Sequence, residues 1–124
     1  MIELFSIELP CNLTNNNNGQ SRHFGKSASD RKKFERMLRR MKLDRNPFEQ
    51  PVVLHVTRIL GPRQKYWDSD SVGRGNFKQL LDAAVAVGWF YDDSYKYIKH
   101  TAFFQEAGRR AAGPAVLIEV FAAQ

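Results

Sequence analysis

The sequence predicts a single α+β domain spanning residues 1–124, with one mixed β-sheet and two helices packed on one of its faces, in the order β-α-β-α-β-β. Three observations carry this. The chain has 124 residues, the size of one domain with a modest core. Two segments repeat apolar residues at helical spacing. Four others are short β-rich runs bounded by proline, glycine or asparagine.

Residues 3–9 alternate loosely and stop at Pro10, which predicts the first strand. Residues 15–19 are an asparagine run closed by a glycine, a turn or loop. Residues 27–41 predict the first helix. Ser29 or Asp30 can cap it, and Phe34, Met37, Leu38 and Met41 fall at i, i+3, i+4 and i+7 on one face. The opposite face carries Arg31, Lys32, Arg36, Arg39 and Arg40. Asn46-Pro47 and Pro51 break the chain before a second strand at residues 52–60, rich in β-branched side chains. Gly61-Pro62 ends that strand, and residues 63–75 form a loop. The second helix is predicted over residues 76–87, with Phe77, Leu80, Leu81 and Ala84 as its stripe and Gly88 as its C′ residue. A third strand is expected within residues 95–104. A basic turn follows at residues 108–113, then a last strand at residues 115–121.

Lys and Arg total 19 against 13 Asp and Glu, a net charge of +6, so an anionic partner such as nucleic acid is one reading and a plain basic surface the other. Cys11 is the single cysteine, which excludes an intrachain disulfide and a cysteine-rich zinc site and fits a reducing cytoplasm. The first residues carry an acid and no basic region, unlike a secretory signal. No apolar run approaches the ~20 residues of a membrane-spanning helix, so no membrane association is expected.

Against this basic background stand Asp68-Ser69-Asp70 in the long loop and Asp92-Asp93 after the second helix. Carboxylates one residue apart can face one hard cation, and a third arriving from elsewhere would complete an oxygen site for Mg²⁺ or Mn²⁺. Taken alone, each acidic group is more often a solvated turn. An EF-hand loop starting at Asp68 fails, because its twelfth position is Gln79. An aspartyl-phosphate nucleophile at Asp68 would need an apolar strand feeding directly into it, and Arg63-Gln64-Lys65-Tyr66-Trp67 is not one. Lys78 either pairs with Asp82 at i, i+4 or stabilises charge on a phosphate oxygen. Trp67 and Trp89 read as core residues. His55 reads as a packed strand residue rather than a ligand.

Taken together, Asp68-x-Asp70, Lys78-x-x-x-Asp82-Ala83 and Gly88-x-x-x-Asp92-Asp93 resemble the RusA-type Holliday-junction resolvases, small endodeoxyribonucleases common in phages and prophages. The likeness extends to the first strand and asparagine loop and to a serine turn, Ser27-Ala28-Ser29, opening the first helix. The family usually has Asn directly after the DxD and a shorter interval to the lysine. Here Ser71 follows, with Gly73 and Gly75 in a longer loop.

The resemblance implies a Mg²⁺-dependent endonuclease that cuts branched DNA in recombination and repair, with Mn²⁺ as an alternative cation. Asp68, Asp70 and Asp93 would be the metal ligands and, with Lys78, the catalytic set. It further implies a homodimer, because resolving a four-way junction takes two symmetric nicks, and a bacterial host cytoplasm if the chain is phage-encoded. Arg36, Arg39, Arg40, Arg109 and Arg110 are the candidate phosphate contacts. The rival is a non-catalytic nucleic-acid-binding protein that keeps the fold and its basic surface.

Overall fold

The computed structural model describes residues 1–14 and 24–124. The asparagine run and His23 lie outside the described residues. Four strands and two helices follow one another as β1 (Glu3–Leu9), α1 (Phe24–Arg40), β2 (Val52–Ile59), α2 (Phe77–Ala86), β3 (Ile98–Glu106) and β4 (Ala115–Ala122), the order predicted. A single 3₁₀ turn, Val72–Arg74, precedes α2.

The sheet order is β1-β4-β2-β3. β4 runs antiparallel to both neighbours, and β2 and β3 are parallel. A parallel pair needs a crossover connection, which here contains the long loop and α2. The period-2 alternation of β2 places Val52, Leu54, Val56 and Arg58 on the covered side, all buried. The cross-strand register then fixes rows of side chains beneath the helices. Phe103, Val56, Ile118 and Ile7 form one, and Gln105, Arg58, Val116 and Leu9 another. Phe34 and Leu38 of α1 and Phe77, Leu80, Ala83 and Ala84 of α2 join them in one core. The opposite face carries Val53, His55, Thr57, Leu117 and Phe121, all half-buried, and the more exposed Phe104. His55 packs there between Phe104 and Phe121, as a structural residue.

Two elements differ from the prediction by more than one residue. α1 begins at Phe24, so Ser29 and Asp30 lie inside the helix rather than at its N-cap. Asp30 is instead drawn inward, 6% exposed, and accepts a hydrogen bond from Asn76 Nδ2 at 3.2 Å. Asn76 also takes the Thr14 N–H on its Oδ1 at 2.9 Å, so it ties the exit of β1 and α1 to the start of α2. β3 starts only at Ile98, because the backbone turn at Ser94–Ile98 occupies the residues before it, and it ends two residues beyond the expected end. Gly88 ends α2 at φ = +96°, where an added Cβ would lie 2.1 Å from the Arg45 carbonyl oxygen. Glycine is therefore required by both backbone conformation and space.

Candidate functional site

The loop carrying Asp68 and Asp70 leaves the carboxyl end of β2 and is held down by a clamp. Arg58, 2% exposed on β2, donates through Nη1 to the Lys65 carbonyl at 3.0 Å and to Gln105 Oε1 at 2.9 Å. Its guanidinium carbon stands 3.6 Å from the centroid of the Trp67 ring. Gln105 of β3 in turn accepts the Trp67 N–H at 2.9 Å and donates to the Trp67 carbonyl at 3.0 Å. The residue immediately before Asp68 is thus fixed by two backbone hydrogen bonds and a cation–π stack. Trp67 is half-buried and packed against the core, as its sequence reading expected. Burial, followed by the nearby charge of Arg110, pushes the Arg58 pKa down.

The loop then folds back on itself. Ser71 is buried, and its N–H bonds the Asp68 carbonyl at 2.9 Å. Gly73 sits against the Phe103 ring, where a Cβ would come within 2.7 Å. Asp68 and Asp70 stay exposed, and Asp70 Oδ2 accepts from Arg74 at 2.7 Å.

The second centre forms at the first turn of α2. Lys78 Nζ donates to Asp82 Oδ1 at 2.9 Å and also bonds Asp93, fifteen residues on. Lys78 therefore has the helical i, i+4 partner read from the sequence, and it also touches an acid singled out by the resemblance. The hydrogen bond to Asp93 is the main cause of a raised Lys78 pKa, so the ammonium stays charged at neutral pH. Asp92 is held differently. Its carboxylate accepts hydrogen bonds from Ser94, including the backbone N–H at 2.7 Å, which lowers its pKa. Beside this centre, a cleft of about 360 Å³ opens between α1 and α2, lined by Arg31, Glu35, Asp82, Asp92 and Asp93.

The structure brings Lys78 to Asp93 but keeps the two acidic groups on separate loops. One leaves the carboxyl end of β2 and the other feeds the amino end of the parallel β3, so the topology starts them from opposite ends. Among the described residues, no three His, Cys, Asp or Glu side chains are gathered to hold a metal ion. The donor chemistry of Asp68, Asp70 and Asp93 suits a hard divalent cation. A shared cation would require Asp70 to leave Arg74, Asp93 to leave Lys78 and the two loops to approach each other.

The candidate phosphate contacts divide. Arg36 and Arg40 are exposed on α1. Arg39 pairs with Glu35 at 3.1 Å and Asp44 at 2.6 Å. Arg109 bonds Glu8 and lies 3.4 Å from Glu106. Arg110 is half-buried and binds the carbonyls of Gly61, at 3.0 Å, and Gln64. Arg110 therefore fixes the loop entrance alongside Arg58. Sequence reasoning missed Arg58. Its signal was present, since it continues the buried period Val52, Leu54, Val56 by one step. Arg74 and Gln105 left no comparable mark.

No family model matches the chain, and no curated protein matches it either. None of the helices in the described residues is long and apolar enough to cross a membrane.

Proposed function

We propose that this protein is a Mg²⁺-dependent, structure-selective endonuclease acting on branched DNA such as Holliday junctions. The observation that carries the reading is the meeting of Lys78 with Asp93 across fifteen residues of sequence. These are two of the four positions singled out by the resemblance, and the loop holding the other two is clamped by Arg58 and Gln105. The net charge of +6 and the exposed Arg36 and Arg40 supply attraction for a phosphate backbone.

Asp68, Asp70 and Asp93 would hold the cation, which supplies activation of a water molecule when bound. The residues of the chain do the rest. Arg58, Gln105 and Trp67 orient the DxD loop. Lys78, charged at neutral pH, is released from Asp93 to stabilise negative charge developing on the scissile phosphate. Arg74 neutralises Asp70 and would release it for metal binding.

The proposed homodimer would use the open face of the sheet. Val53, Leu117, Phe121 and Phe104 form an apolar surface there that a second copy can cover sheet against sheet. Phe104→Asp should then shift the sedimentation of the protein from dimer to monomer, and an unchanged dimer would place the interface elsewhere. The absence of disulfide pairing at Cys11, whose thiol burial pushes up to about 12, is compatible with the cytoplasm.

A second reading, a nucleic-acid-binding protein without catalysis, is favoured by one observation. Asp70 and Asp93 are each already paired with a cationic side chain. A nicking assay on a labelled four-way junction separates the two. Cleavage with Mg²⁺ and none with EDTA supports the nuclease, whereas binding without cleavage in either condition supports the rival.

A further inference from the structure

The loop between α2 and β3 carries a surface that neither the fold nor the acidic centre uses. Tyr91 is 55% exposed and Tyr95 73% exposed, among the largest apolar exposures on the described surface. Tyrosine combines a large apolar ring with a polar tip, which suits it to interfaces. This loop is rigid by its hydrogen bonds. The Tyr97 and Ile98 N–H groups bond the Ser94 carbonyl at 3.0 and 2.9 Å, and the Tyr97 carbonyl accepts from Val52 N–H at 2.9 Å. Asp93, in the same loop, is tied to Lys78.

The rings are also dressed with cations. Lys99 Nζ stands 4.3 Å from the Tyr95 ring centroid, and Lys96 Nζ 5.3 Å from that of Tyr97. Tyr97 packs on Tyr91 with ring centroids 5.3 Å apart, which braces the more exposed ring from behind. Lys99 covers one face of Tyr95, and the exposure of that residue leaves the other open to solvent. An open aromatic face with ammonium groups beside it matches a nucleotide, whose base stacks while its phosphate pairs with lysine. A stacked duplex hides its base faces, so the ligand this surface fits is an unpaired strand.

We propose that Tyr91 and Tyr95 form a stacking platform for unpaired nucleotides, with Lys96 and Lys99 meeting their phosphates. The platform rests on the nucleic-acid reading of the protein and deepens it. It assigns selectivity for the open, single-stranded parts of branched DNA to the loop that also carries Asp93. Asp93 of that loop bonds Lys78, the group proposed to act on the phosphate.

The test uses a single-stranded oligonucleotide of mixed sequence carrying one 2-aminopurine, and a blunt duplex of the same sequence, both in EDTA. The parent protein should bind the single strand and quench the 2-aminopurine. Tyr95→Leu and Tyr91→Leu should each weaken single-strand binding by about 5- to 100-fold, the range for losing one base–aromatic stack. Duplex binding should change less than about twofold, and Tyr95→Phe, which keeps the ring, should bind like the parent. Tyr95 is the more exposed ring, so Tyr95→Leu should melt like the parent, whereas Tyr91→Leu, which loses the contact with Tyr97, should lower Tm by no more than a few degrees. Leucine variants that bind the single strand like the parent would overturn the platform while leaving the nuclease reading standing. A parent protein that binds neither single strand nor four-way junction would overturn both.

Discussion

Replacing Lys78 with alanine separates the chemistry of the site from its contribution to the fold. The ammonium reaches Asp82 at 2.9 Å and Asp93, with lysine 56% exposed and the two acids 37% and 36%. Exposed pairs of this kind contribute about 0.2–1 kcal/mol each. Loss of both should therefore lower the unfolding free energy by roughly 1 kcal/mol, a few degrees in Tm for a domain of this size. The effect on turnover should be much larger. Removing one preorganised charge aimed at a transition state costs on the order of 10²–10³ in rate, about 3–4 kcal/mol of barrier.

The folded pKa of Lys78 is raised, so its stabilising contribution is complete below the ordinary value of 10.5 and is lost as pH rises through the higher folded value. The Tm difference between parent and variant should thus be flat from neutral to about pH 10 and shrink above it. The assay is single-turnover nicking of a labelled four-way junction at saturating Mg²⁺, alongside thermal melts across pH. A Lys78→Ala protein that nicks within about threefold of the parent rate would refute the catalytic role and leave only a surface ion pair.

Four further outcomes follow from the same geometry. Asp70→Asn removes a proposed metal ligand and the partner of Arg74, so cleavage should vanish while junction affinity, read by gel shift, holds or tightens. Arg58→Ala removes two hydrogen bonds from a charged donor and the stack on Trp67. It should cost about 2–4 kcal/mol in urea unfolding after some relief of desolvation, and Trp67 fluorescence should shift toward that of an exposed ring. Gly88→Ala should cost more than about 2 kcal/mol through its positive φ and the contact with Arg45. Gly108→Ala, whose Cβ would meet only Glu106 Oε1 at 4.0 Å, should be neutral or stabilise by up to ~1 kcal/mol in the same titration.

What could be read from the sequence was local. The stripe of α2 and its glycine terminus, the alternation of β2 and the i, i+4 pairing of Lys78 with Asp82 all depend on neighbours within a few residues. α1 was read as starting late because Ser29 and Asp30 look like caps. Asp30 lies inside the helix instead, where its carboxylate engages Asn76, forty-six positions away. The Arg109 pairing with Glu8 and the Gln105 grip on Trp67 are likewise products of the sheet order, which brings β1 beside β4 and β3 beneath the loop. No spacing rule shows such contacts. Asp93 was linked to Lys78 only through the family resemblance, whereas the structure supplies the contact itself.

The most direct measurement is strand-specific nicking of an immobile four-way junction, labelled in turn on each strand, by the parent protein and by Asp70→Asn and Asp93→Asn. The account predicts paired nicks on opposite strands with Mg²⁺ or Mn²⁺, none in EDTA, and none from either variant although both still bind the junction. Junction binding with no cleavage by the parent in any divalent cation, or cleavage that survives both substitutions, would contradict it.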